Sequence, residues 1–260
     1  MWPDGKTSAA VVSFDFDAEE VWIGEDPANA DRPGTLSQGT YGAKVAVPLI
    51  LDLLARLDIT ASFFVPGRVA ERHPQRVSEI IAAGREVAHH GYTHTSPTKL
   101  TRDEEEHELV MGRAILEELG ADVVGYRSPS WDFSPHTLDL LVEHGFRYSS
   151  NLMDDIRPYR HETHQIVELP VHWTIDDAPH FWFDAAAWNK TIRTSAEVEA
   201  LWREELDGYV LQGGLFMLTM HPQVIGRPGR LQMLARFLRH LKSVDGLWLT
   251  TARQAAETVR

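Results

Sequence analysis

The stretch AAVVSFDFD, residues 9–17, is an apolar run that closes on two aspartates, Asp15 and Asp17, one residue apart. Read as a buried strand, it sends alternate side chains to one face, so both carboxylates point the same way. Two like charges at that spacing are costly unless a cation lies between or beside them. The rest of the chain must therefore bring positive charge to the end of this strand.

Outward from that run, strand and helix patterns alternate. AKVAVPLILDLLARLD (43–58) has helical periodicity and ITASFFV (59–65) is rich in β-formers. PQRVSEIIAAG ends on a glycine suited to a helix C-terminus, and REVAHH reads as a short strand. TRDEEEHELVMGRAILEELG opens with Thr101 and Glu104 at capping-box spacing and closes on Gly120. VVGYR, FRYSS, QIVELPVH, GLFMLTMH and GLWLTT read as further strands. SPHTLDLLVEHG, SAEVEALWREELDGYVLQ and GRLQMLARFLRHLKS read as helices, with a last short helix after them. Repeated β-then-α units imply a mostly parallel sheet, open or closed into a barrel. Residues 20–42 and 151–190 break the rhythm, and both follow strand ends, where α/β folds place ligands. With no repeat or linker to divide it, residues 1–260 are expected to form one domain.

Composition narrows the function. Aspartate and glutamate number 38 against 25 lysines and arginines, a formal charge of −13, which argues against a nucleic-acid partner. The absence of cysteine excludes disulfides and thiolate metal sites. No cationic, apolar leader opens the sequence and no run of 18 apolar residues appears, so a cytoplasmic protein without membrane contact is expected.

Candidates for the cation lie in EVAHHGYTHTSPT, where His90 and His94 are four apart directly after a short strand. On a helical turn or tight loop both imidazoles can bind one metal. In MLTMHPQ, His221 ends an apolar strand, a position suited to acid–base work or to capping the strand by a hydrogen bond. In GYRSPSWDFSP, Arg127 ends a strand before a proline-constrained loop carrying Trp131; pointing inward, it can pair with a carboxylate and hold it ionised. If these strand ends converge, Asp17, His90 and His94 surround one divalent metal and Asp15 stays free beside it. Such ligation leaves positions open for water and substrate.

With those motifs in order, the chain resembles the polysaccharide deacetylase superfamily, the NodB-homology hydrolases. SFDFDAE supplies a base aspartate and a metal aspartate, Asp15 and Asp17; His90 and His94 match the H-x-x-x-H motif. RSPSW supplies Arg127, Pro129 and Trp131, and LTMH supplies Leu218 and the acid histidine His221. The resemblance runs from about residue 9 to 250. It implies a distorted (β/α) barrel and a metal-dependent hydrolase of non-peptide amide bonds that removes N-acetyl groups from amino sugars. Typical members have adjacent aspartates; here Phe16 stands between them, which resembles a cytoplasmic branch of peptidoglycan-deacetylase-like proteins and cyclic imide hydrolases. That branch makes a small cyclic amide the alternative substrate. Allantoinase-type members lack the metal aspartate, whereas Asp17 is present.

The resemblance further implies Zn²⁺ on Asp17, His90 and His94, Asp15 as base oriented by Arg127, and His221 as acid. Asp154 or Asp177 is expected to raise the His221 pKa, and a backbone N–H of the Tyr92–Thr95 region to serve the oxyanion. Trp131, Pro129, Tyr92 and Leu218 are expected at the substrate, with Trp22, Trp173, Phe181, Trp182 and Trp188 as further aromatic wall. A small-molecule or oligosaccharide substrate and a homo-oligomer complete the expectations, with residues 20–42 as a possible lid.

Overall fold

The structure is a computed structural model and describes residues 2–183 and 191–259. Trp188 lies outside the described residues.

The expected alternation is present. The first strand, β1 (Ser8–Asp15), is followed by two short helices, α1 (Glu20–Ile23) and α2 (Pro33–Tyr41), then α3 (Val47–Leu57). Next come β2 (Ser62–Val65), α4 (Gly67–Arg72), α5 (Pro74–Ala82), β3 (Glu86–His89) and the long α6 (Arg102–Glu118). Short strands follow: β4 (Gly125–Tyr126), α7 (Thr137–Glu143), β5 (Tyr148–Ser149), β6 (Tyr159–Arg160) and β7 (Val167–Glu168). The chain ends with α8 (Ala178–Phe181), α9 (Ser195–Gln212), β8 (Leu215–Met220), α10 (Pro222–Ile225), α11 (Pro228–Ser243), β9 (Leu247–Thr250) and α12 (Ala252–Glu257).

The strands form a curled sheet in the order β6-β7-β5-β4-β3-β2-β1-β8, with β9 beside the first half of β1. Each described pairing is parallel except β6 with β7. A lone parallel bridge from Asp176 to Thr219 draws the segment after β7 onto β8, so the curl approaches closure. The result is a half-barrel, which matches the expected distorted (β/α) barrel.

Alternation along β1 sorts its side chains into two cores. Ala10, Val12 and Phe14 join the larger apolar cluster under the helices, with Phe63, Leu218 and Phe237. Ala9 and Val11 face the barrel interior with Phe64, Ala88 and Met217. Ser13 and Asp15 share the inward parity of Ala9 and Val11, so along β1 the inner face turns polar towards the C-terminal mouth. Thr101 and Glu104 form the expected capping box at the start of α6, and Gly120 carries φ +95° beyond its end.

Two local expectations need correction. Strand β1 ends at Asp15, so Asp17 lies past it, beyond the ladder and next to Ala18 with φ 46°. Residues 20–42 are largely helical rather than an irregular loop. Tertiary contact, not periodicity, holds them: Gly39 packs so tightly on the Ala18–Glu19 backbone that a Cβ would lie 2.4 Å from it, and Thr40 donates to Glu19 at 2.6 Å. Among the described residues no helix is long and apolar enough to cross a membrane.

Candidate active site

The C-terminal ends of β1, β3, β4, β5 and β8 meet at one mouth of the barrel. Arg127, the residue after β4, is fully buried. Its guanidinium donates to Asp15 Oδ1 at 2.6 Å, to Ser13 Oγ at 3.1 Å and to Ser150 Oγ at 3.0 Å, and lies 3.9 Å from the Phe64 ring centre. The inward-pointing arginine expected from sequence is therefore there, and the partner carboxylate is Asp15. Such a buried, charge-assisted bond fixes the carboxylate in one orientation and leaves its second oxygen facing the site.

That second oxygen, Asp15 Oδ2, is 4.0 Å from His90 Nε2. His90 and His94 both turn Nε2 towards Asp17 Oδ1, at 3.4 and 3.6 Å. They sit on a tight loop, not a helical turn, made possible by φ +76° at Gly91 and φ 59° at His94. His90 Nδ1 is 2.7 Å from the Arg127 carbonyl, which can only accept, so the ring proton is on Nδ1 and Nε2 is the free nitrogen. Asp17 Oδ1 is buried and receives no hydrogen bond. Burial works to raise the Asp17 pKa, but His94 and the other imidazoles outweigh it and bring it to about 2. Burial lowers the His94 pKa to about 4, with Asp17 opposing, so at neutral pH this ring too offers a lone pair. One orphaned carboxylate oxygen facing two imidazole nitrogens is a donor set that suits a divalent cation.

His221, directly after β8, lies across from this trio with Nε2 3.8 Å from Asp17 Oδ2. Its Nδ1 is 2.7 Å from Asp177 Oδ1, and its backbone N–H also donates to that carboxylate. Asp176 Oδ1 stands 3.8 Å from the same nitrogen. Burial works against a charged imidazole here, yet Asp176 and Asp177 outweigh it and push the His221 pKa well above its ordinary value. Burial beside Asp177 also lifts Asp176 to about 7. Of the two carboxylates weighed from sequence, Asp177 is the one at His221; Asp154 instead accepts from the exposed Tyr159 hydroxyl.

The expected substrate residues divide. Trp131 is nearly buried, stacks on Trp173 at 4.4 Å and lies 6.0 Å from the Arg127 guanidinium, so it stands at the site. Pro129 is buried and backs Gly91, whose added Cβ would be 3.3 Å from the proline ring. Leu218 does not reach the site: it has the outward parity of β8 and lies fully buried in the core under the helices. Tyr92 points its ring away, over the Arg68 side of α4, with its hydroxyl 3.2 Å from Glu71. The Tyr92 and Thr93 amides both donate to Glu108 Oε2 at 2.7 Å, so neither is available to an oxyanion. Trp22 stacks on Trp182 at 5.1 Å, and Phe181 is buried under Arg230.

Sequence reasoning missed Ser13, Ser150, Asp176 and Glu108. Serines in strand ends carry no distinguishing pattern, and Glu108 sits in an acid-rich helix that reads as a solvated face. Asp176 precedes Asp177 in a segment without periodicity.

Residues 37–149 match the family model for polysaccharide deacetylase, a span that excludes Asp15, Asp17 and His221. A peptidoglycan deacetylase from Helicobacter pylori is 29% identical over 267 residues, which cover 91% of either chain. The solved allantoinase Puue shares the fold at 22% identity and TM-score 0.87, covering 98% of this chain and 91% of that one. A solved Mycobacterium smegmatis protein assigned as a polysaccharide deacetylase is 43% identical, with TM-score 0.96 over 100% of this chain and 92% of that one. On that likeness, and with its half-barrel fold, this chain belongs to the polysaccharide deacetylase superfamily and is a hydrolase acting on carbon–nitrogen bonds.

Proposed function

We propose that the protein is a metal-dependent hydrolase that removes N-acetyl groups from amino sugars, with residues 1–260 as one catalytic domain. The observation that carries the metal is the orphaned Asp17 oxygen facing His90 and His94. A divalent cation on these three residues, zinc by the character of the donors, supplies Lewis-acid activation of the carbonyl and of the attacking water.

The chain's own groups account for the proton movements. Asp15, beside the cation seat, takes the proton of the attacking water, and Arg127 holds it at the angle to do so. His221 carries a proton on Nε2, the nitrogen facing the site, and gives it to the leaving nitrogen. Asp177 receives Nδ1–H, which fixes the imidazole's orientation and favours its charged form. Trp131 and the stacked Trp173 offer a flat apolar wall on the Arg127 side, suited to a sugar face.

A second reading rests on how enclosed the site is. Asp15, Asp17 and His90 are each 1–2% exposed, which suits a small cyclic amide better than a glycan chain. Both substrates present an amide-type carbonyl, and one assay separates them. The zinc-reconstituted enzyme is given an N-acetylglucosamine oligomer, scored for free amine, and succinimide, scored for ring opening. Amine release supports deacetylation; ring opening alone replaces it with imide hydrolysis; turnover of neither overturns both.

A further inference from the structure

The His90–His94 loop is irregular backbone, so its N–H and C=O groups need partners from outside it. Its carbonyls go to α4: Gly67 N–H donates to Gly91 and Arg68 N–H to Tyr92, at 3.0 and 2.9 Å. Its amides go the other way. Gly91 N–H donates to His89 Nδ1 at 3.0 Å. Tyr92 and Thr93 N–H both donate to Glu108 Oε2, and the Thr93 hydroxyl to Glu108 Oε1, each at 2.7 Å. A single buried carboxylate from α6 thus holds two of the three residues between the candidate ligands. Helix α6 comes close enough to do this because position 112 is glycine; a Cβ there would lie 2.5 Å from His89 Nε2 and 2.9 Å from the Gly91 carbonyl.

Glu105, one helical turn earlier on α6, makes the same kind of contact elsewhere. It accepts from the hydroxyls of Ser134 and Thr137 at the start of α7, beyond the Arg127–Trp131 loop. The acid-rich opening of α6 therefore carries two buried carboxylates that serve loops, not only a solvated face.

We propose that Glu108 is a positioning residue for the histidine pair: its carboxylate fixes the backbone between His90 and His94 and so sets how their two Nε2 atoms converge. The inference rests on the reading that these histidines hold a divalent cation. Left-handed backbone at His94, a non-glycine residue, persists only where its surroundings over-determine it, and Glu108 contributes by fixing the two residues before it. With the carboxylate gone, the loop relaxes and the nitrogens no longer meet at one point. Groups that orient ligands in this way typically change metal affinity by about 10–100-fold when removed.

The test measures the zinc dissociation constant by chelator competition for the full-length wild type, Glu108→Ala, Glu108→Gln and Leu206→Ala, with Tm for each. Leu206 is buried in α9, away from the loop, and serves as a control for stability loss alone. Visible spectra of the cobalt-substituted proteins report ligand geometry directly. Glu108→Ala is expected to bind zinc about 10–100-fold more weakly with an altered cobalt spectrum. Glu108→Gln, which keeps an oxygen for the two amides, is expected to recover most of the affinity. Unchanged affinity in Glu108→Ala, or an equal loss in Leu206→Ala at matched Tm, overturns the positioning role while leaving the metal reading intact. A wild type that binds no zinc overturns both.

Discussion

Arg127→Ala loses about 3–5 kcal/mol of folding stability, the cost of leaving one member of a buried ion pair without the other. The partner is Asp15, a residue 2% exposed whose carboxylate accepts from Arg127 Nη1 at 2.6 Å. The arginine also serves Ser13 and Ser150 and sits on Phe64, so truncation leaves buried polar groups and a void together. Urea denaturation measures the loss. The double variant Asp15→Asn/Arg127→Met removes both charges and should recover a large part of the stability while remaining inactive. If Arg127→Ala were as stable as the wild type, the ion pair would not be the buried anchor described here.

The second large effect concerns His221. His221→Ala should lower kcat about 10²- to 10⁴-fold, the range for loss of a positioned general acid. Asp177→Asn is the more discriminating variant, because it keeps the imidazole and removes the charge beside it. The acid form of His221 is the competent one, so activity falls as pH rises through its pKa, which Asp176 and Asp177 hold above the ordinary value. Without the Asp177 charge that pKa drops, and the alkaline limb of the kcat–pH profile moves to lower pH. The deficit of the variant is therefore larger at pH 8 than at pH 6. An alkaline limb that stays in place would assign the acid role to another group.

Much of this was legible in the sequence, for reasons that differ by element. The mostly parallel sheet followed from strand patterns alternating with helical ones, and its curling into a barrel from the family resemblance. Asp15, Asp17, His90, His94, Arg127 and His221 could be singled out because each stands at or just past a strand end, where side chains leave the ladder. Leu218 was misplaced because a motif says which residues neighbour a site, not which face of a strand they occupy; one step along β8 reverses the direction. Tyr92 was misplaced for a related reason, since its loop's amides were already committed to Glu108. Residues 20–42 gave no helical pattern because their helices are held by close backbone contact at Gly39 and by Glu19, neither of which leaves a periodic trace. The carboxylate at His221 needed the Asp176–Thr219 bridge, a contact between segments more than forty residues apart that no local pattern encodes.

The central claim is that Asp17, His90 and His94 hold a cation together. Elemental analysis of the purified protein after zinc reconstitution and desalting tests it, with Asp17→Ala alongside. The account predicts about one zinc per wild-type chain and almost none in the variant, as a three-residue donor set requires. A wild type that retains no zinc, or a variant that retains as much, would contradict it.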